Sequence, residues 1–147
     1  MSKGGVLIVA LCGLSACMLT LRVPAQNAAG RFDYAELAKA PEKARSRKSP
    51  FADDGNAVLV GKKLFGQHCS ECHGVMGEGS KKAPSLRVDE VQQSAPGALF
   101  WILTNGVVRR GMPVWSKLPE PQRWQIVSYI KTLQPPLRKP EAGTGSR

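Results

Sequence analysis

Cys69-Ser70-Glu71-Cys72-His73 lies near the middle of this 147-residue chain, and the fold follows from how it is read. Two thiols three positions apart, followed at once by an imidazole, form the C-x-x-C-H spacing of c-type haem attachment. The spacing has a chemical reason. Each thiol adds across one vinyl group of the porphyrin to give a thioether, and the next residue presents a ring nitrogen to the iron. Two rival chemistries need surroundings that the sequence lacks. A thioredoxin-like thiol pair follows a strand in a βαβ unit, and none is predicted here. A zinc site needs four ligands around a tetrahedron. The candidates, His68, Cys69, Cys72 and His73, are packed into six residues, and the chain holds just two histidines. His68 itself reads as a surface residue ending a helix.

Six-coordinate iron needs a second axial ligand, which is often a methionine in electron-transfer cytochromes and raises the potential. Met1 and Met18 belong to the N-terminal region. Met76 stands three residues after His73, a reach of at most about 10 Å, too short to round a macrocycle edge and return to the iron. It is expected to be loop packing. Met112 stands 39 residues on, within Gly111-Met112-Pro113. Gly111 allows a close backbone approach and Pro113 fixes the local chain. The expected metal ligands are therefore His73 and Met112.

Working outward, the pattern predicts three helices and no useful strand alternation. The first spans 57–68, with Val60, Leu64 and Phe65 expected on one side. The second starts at Pro96, a favoured first helical residue, and stops at Asn105-Gly106. The third starts near Pro119-Glu120-Pro121 and runs to Leu133, its apolar set Ile126, Val127, Ile130 and Leu133 recurring at three- and four-residue steps. The expected fold class is all-α, a small helical domain over residues 55–135 wrapped around one cofactor. A domain of roughly 80 residues buries a marginal core, which a large apolar cofactor would complete.

Residues 1–25 read as an export segment, with Lys3 ahead of an apolar run. Three readings of it stand open: a lipobox ending at Cys17, cleavage after small residues at Val23-Pro24-Ala25, and an uncleaved anchor. All three place the remainder outside the cytoplasm, periplasmic or extracytoplasmic, with a membrane tether through Cys17 or the N-terminal segment expected. Residues 26–54 read as a polar basic linker. As a flexible coil of about 29 residues it would span about 30 Å, although a short helix around 32–40 is compatible with the pattern. Residues 136–147 read as a flexible tail. Two of the four cysteines lie in the apolar start, so no disulfide framework is expected. The formal charge of +10 suggests anionic partners. No helix-turn-helix, zinc-finger or RNA-binding signature supports nucleic acid.

With these residues in view, the chain resembles the class I cytochrome c family over roughly 56–133. Gly61, Phe65 and Cys69 stand at four-residue intervals, like the family's first helix. Residues 124–130 look like the last helix, whose aromatic residue, here Tyr129, packs on that glycine. Ala83-Pro84-Ser85-Leu86 is similar to the family segment after the haem site, which implies that the Pro84 carbonyl orients His73. The implied cofactor-binding set is Cys69, Cys72, His73, Met112, Pro84 and Leu86. Trp101, Trp115 and Trp124 read as packing walls. Arg109 and Arg110 suit either haem propionates or a solvated turn.

The resemblance implies one covalent haem c and a carrier of single electrons between exported or membrane-bound redox partners, not an enzyme. Residues 56–133 hold ten basic and five acidic side chains, which favours acidic docking surfaces. The Gly111-Met112-Pro113-Val114-Trp115 form resembles small bacterial cytochromes that serve dehydrogenases and oxidases, and this implies partners of that kind. Two alternatives remain open. One is a haem-carrying subunit of a larger dehydrogenase or oxidase complex. The other is a small haem peroxidase or gas sensor, should Met112 not ligate.

Overall fold

The computed structural model describes residues 34–133. The expected export segment with Cys17, the first part of the expected linker (26–33) and the expected tail at 136–147 lie outside the described residues. In chain order a 3-10 turn (Tyr34–Lys39) leads to α1 (Glu42–Arg45), α2 (Gly55–His68), α3 (Ser70–His73), α4 (Asp89–Gln92) and α5 (Pro96–Asn105). A second 3-10 turn (Val108–Arg110) and α6 (Glu120–Ile130) complete it. Among the described residues there is no strand, and Val107 and Met112 form an isolated antiparallel bridge. The all-α fold expected from the sequence is the one observed.

The three long helices begin where local chemistry starts them. The Asp54 carboxylate caps α2, accepting from the main-chain N–H of Asn56 at 2.8 Å and of Ala57 at 3.1 Å. Pro96 occupies the first turn of α5, which stops at Gly106 with φ 68°. Pro119 and Pro121 open α6, which ends at Ile130, three residues short of the expected Leu133.

The frame is the crossing of α2 and α6. A Cβ at Gly61 would lie 1.9 Å from the Gln125 carbonyl oxygen, so only glycine lets the two backbones approach this closely. Tyr129 packs there and tilts onto Phe65, ring centroids 5.3 Å apart. Because α6 crosses at Gly61, the buried stripe of α2 is Ala57, Gly61 and Phe65. Val60, expected on that side, is displaced to the flank and is 44% exposed. Phe100 of α5 stacks on Trp124 of α6 at 4.2 Å, and Ile126 and Val127 complete the centre.

The largest departure from expectation is the segment 34–54, read as a linker and found folded onto the helices. Ala40 is buried, and Leu37 and Phe51 pack against the core. The Arg47 guanidinium lies 4.6 Å above the Phe100 ring and pairs with Glu120 at 2.5 Å. A Cβ at Gly97 would meet the Ala44 carbonyl oxygen at 2.0 Å, so α5 leaves out a side chain where this arm lies. The short helix compatible with 32–40 appears as the 3-10 turn Tyr34–Lys39. Charge dominates the sequence pattern because the basic side chains of the arm stay largely exposed, while Leu37, Ala40 and Phe51, spaced without a period, and the face of the Arg47 guanidinium make the contact.

Candidate cofactor site

Cys69 closes α2 and opens α3, and its carbonyl accepts from the N–H of both Cys72, at 3.2 Å, and His73, at 2.9 Å. That single turn gathers both thiols and the imidazole. Glycines then reverse the chain: Gly74, Gly77 and Gly79 all have positive φ, 83°, 69° and 85°. The Gly79 N–H returns to the His73 carbonyl at 2.7 Å, and the Leu86 N–H reaches the Gly77 carbonyl at 2.7 Å. These ties carry residues 83–86 back across His73.

His73 is buried, and its Nδ1 lies 2.9 Å from the Pro84 carbonyl oxygen. A carbonyl only accepts, so Nδ1 carries the proton and Nε2 keeps the lone pair that a metal takes. Burial holds the ring below its ordinary pKa, with the Pro84 hydrogen bond acting in the opposite direction. Neither Cys69 nor Cys72 is engaged in a disulfide, so both sulfurs are available for attachment. Burial, and secondarily the neighbouring Cys72, pushes Cys69 up to about 12. Among the described residues no group of three or more His, Cys, Asp or Glu side chains is arranged to hold a metal ion.

Met112 comes from a separate segment. Its backbone pairs with Val107 in both directions, Val107 N–H to Met112 O at 3.0 Å and Met112 N–H to Val107 O at 3.2 Å. Gly111, with φ 86°, ends the intervening 3-10 turn, and the Trp115 N–H donates to the Leu103 carbonyl at 3.2 Å.

Cys69, Cys72, His73, Pro84, Leu86 and Met112 all line one cavity of ≈ 380 Å³. Phe65, Leu99, Leu103 and Ile130 give it apolar walls from α2, α5 and α6. Met76 is 54% exposed and does not line it. Trp115 is a wall, and His68 departs from expectation: it is half-buried, lines the cavity and packs on Trp115 at 5.3 Å between ring centroids. Arg110 reaches the lining and Arg109 does not. The sequence reading missed Tyr34 and Leu37, arm residues that line the same cavity. Two thiols, an imidazole with one nitrogen already committed, a thioether and an apolar enclosure fit a covalently held haem.

Fold and site together define a c-type cytochrome. Residues 56–130 match the family described as cytochrome c oxidase, cbb3-type, subunit III, and the protein belongs to that cytochrome c family. It is an electron-carrying haem protein whose cofactor is covalently bound haem c. Among solved structures, cytochrome cL from the marine methylotrophic bacterium Methylophaga aminisulfidivorans is similar at 24% identity and TM-score 0.51, covering 58% of each chain. Cytochrome cL from Hyphomicrobium denitrificans is similar at 20% identity and TM-score 0.50, covering 67% of this chain and 66% of that one. Both likenesses show the fold. The chain thus spans less than two thirds of the length of these structures. No curated protein matches it.

Proposed function

We propose that Cys69 and Cys72 would hold the haem through thioethers, that His73 and Met112 would ligate its iron, and that the protein passes single electrons between exported or membrane-bound partners. The observation that carries this reading is the convergence of Cys69, Cys72, His73 and the distant Met112 on one cavity. The chemistry such a group supplies is the one-electron Fe(III)/Fe(II) couple. The chain's own residues do the remainder. Pro84 holds the Nδ1 proton and so orients the His73 ring and raises its basicity. Leu86, Phe65, Leu99 and Leu103 exclude water. Met112 supplies a soft thioether, which favours Fe(II).

If His73 and Met112 both ligated the iron, the chain itself would supply the ligands that a substrate would otherwise displace, and this supports the reading of a carrier. The excess of basic over acidic side chains in 56–133 supports docking on acidic surfaces of a dehydrogenase or oxidase. The apolar N-terminus supports an extracytoplasmic protein tethered through Cys17 or the segment around it. Among the described residues no helix is long and apolar enough to cross a membrane.

The experiment is a peroxidase-active stain of denatured protein, expressed with a haem-attachment system. The wild type should stain, and Cys69→Ser combined with Cys72→Ser should not; a double variant that still stains overturns the attachment sites. A second reading is favoured by the matched family's description, which names an oxidase subunit. In that reading the protein is a haem-carrying subunit of a larger complex, and it should co-purify from membranes with its partners in fixed ratio.

A further inference from the structure

The loop that carries Pro84 is held on one side by the glycine turns. The Leu86 N–H and the Ser85 hydroxyl both donate to the Gly77 carbonyl, at 2.7 and 3.3 Å. A Cβ at Gly79 would fall 2.6 Å from the Ser85 nitrogen, so the two strands of this loop lie in direct contact. On its other side the Ser85 carbonyl accepts a hydrogen bond from the Tyr34 hydroxyl at 2.9 Å, from a residue 51 positions earlier in the chain. The next carbonyl back, that of Pro84, is the one bonded to His73. Tyr34 also lines the cavity alongside Cys69, Cys72 and His73. Burial, then the charge of Glu90, holds the Tyr34 phenol above its ordinary value of 10.0, so the hydroxyl remains a donor across the neutral range.

We propose that Tyr34 is a positioning residue for the axial histidine, clamping the Pro84-Ser85 main chain so that the Pro84 carbonyl stays aligned on the His73 ring N–H. The arm 34–54 is then a working wall of the haem crevice. This rests on the reading of His73 as an iron ligand. The consequence is electronic as well as mechanical. A well-aligned carbonyl draws the ring proton toward itself and makes the imidazole a stronger donor to iron, which favours Fe(III). Without the clamp the carbonyl fluctuates, the hydrogen bond weakens and the potential rises.

The test uses the haem-loaded protein with Tyr34→Phe, which removes the hydroxyl and keeps the ring. Arg47→Gln serves as control, since it breaks the arm's pairing with Glu120 without touching Ser85. Solvent exchange of the His73 ring N–H, followed by NMR, should accelerate about 2- to 13-fold in Tyr34→Phe, the range expected for one net hydrogen bond. Its midpoint potential should move upward. Arg47→Gln should lower the thermal midpoint and leave both readouts at wild-type values. Wild-type exchange and potential in Tyr34→Phe would overturn the proposal, as would equal shifts in Arg47→Gln, which would make the arm a generic support. A wild type without the covalent haem stain would overturn the underlying reading first, so the two failures are separable.

Discussion

On the histidine side of the cavity, the chain from Cys69 to Leu86 is tied to itself by main-chain bonds and by the Ser80, Ser85 and His73 side chains. It buries His73, Gly77 and Ala83. On the methionine side, residues 106–115 hang on the Val107–Met112 bridge and on the Trp115 bond to Leu103, and none of them is buried. Val108 is 69% exposed. The difference teaches where this domain places its give. One proposed ligand is over-determined by its surroundings, and the other proposed ligand sits on a segment without a buried residue, the kind that opens at lower cost.

Met112→Ala should show the largest effect, because it removes the proposed ligand outright. Haem should remain attached, the potential should fall, and carbon monoxide should bind iron that the wild type keeps closed, as read by absorbance. Met76→Ala should do none of this. If the two variants exchange behaviours, the methionine side has been placed on the wrong loop.

Next in size is Gly79→Ala, at φ +85° and against the Ser85 backbone. Left-handed strain and overlap together should cost about 2–4 kcal/mol in denaturant unfolding of the haem-loaded protein. Gly106→Ala is similar in geometry, at φ +68° with a Cβ 2.7 Å from the Pro113 carbonyl oxygen, but lies on the yielding side. It should cost about 1–2 kcal/mol, spent on the loop and not on the fold, raising the population with Met112 detached about 5- to 30-fold. Carbon monoxide binding measures that population. Equal losses of global stability in the two variants would erase the contrast between the sides.

The smallest effect belongs to Glu120. Its carboxyl is held below the ordinary value of 4.5 first by the Arg47 hydrogen bond and then by that of Trp124. A lowered carboxylate pKa contributes stability that is fully present above the unfolded value and is lost as pH falls through the folded one. Glu120→Gln should therefore be slightly less stable than wild type at neutral pH, and the gap should close as pH falls below the ordinary carboxylate range. A gap that persists unchanged in acid would mean the pairing carries no part of it.

Much of this was legible in the sequence, for reasons that differ by element. Both ends of α5 were written in Pro96 and Gly106, residues whose effect is local, whereas the Asp54 cap, which starts α2 at Gly55, two residues before the expected 57, was not read. The cysteine–histidine turn is contiguous, and chain reach alone separated Met112 from Met76. The arm was not legible, because its contacts leave no periodic trace. Tyr34 bonds a main-chain carbonyl, Arg45 bonds that of Ala38, and Ala40 is buried without a pattern around it. Its complement in α5 is Gly97, which in sequence reads only as a weak spot in a helix. His68 was misplaced for a similar reason: its partner Trp115 lies 47 residues away, beyond any helical period.

The arm's footing also orders events in time. Arg47 rests on rings contributed by Phe100 and Trp124, and Ser49 and Phe51 meet Ser128. That platform exists only after α5 and α6 have come together, so a segment early in the chain must wait for the end of it. Contacts spanning 73 and 79 residues carry a loop-closure cost that is repaid only once the platform is formed. The amides of 34–51 are therefore expected to gain protection last in pulse-labelled refolding, and protection that arrives together with α2 would contradict this. Until the arm docks, Tyr34 and Leu37 are absent from the cavity wall, which leaves an entrance for the porphyrin while both thiols are still reachable.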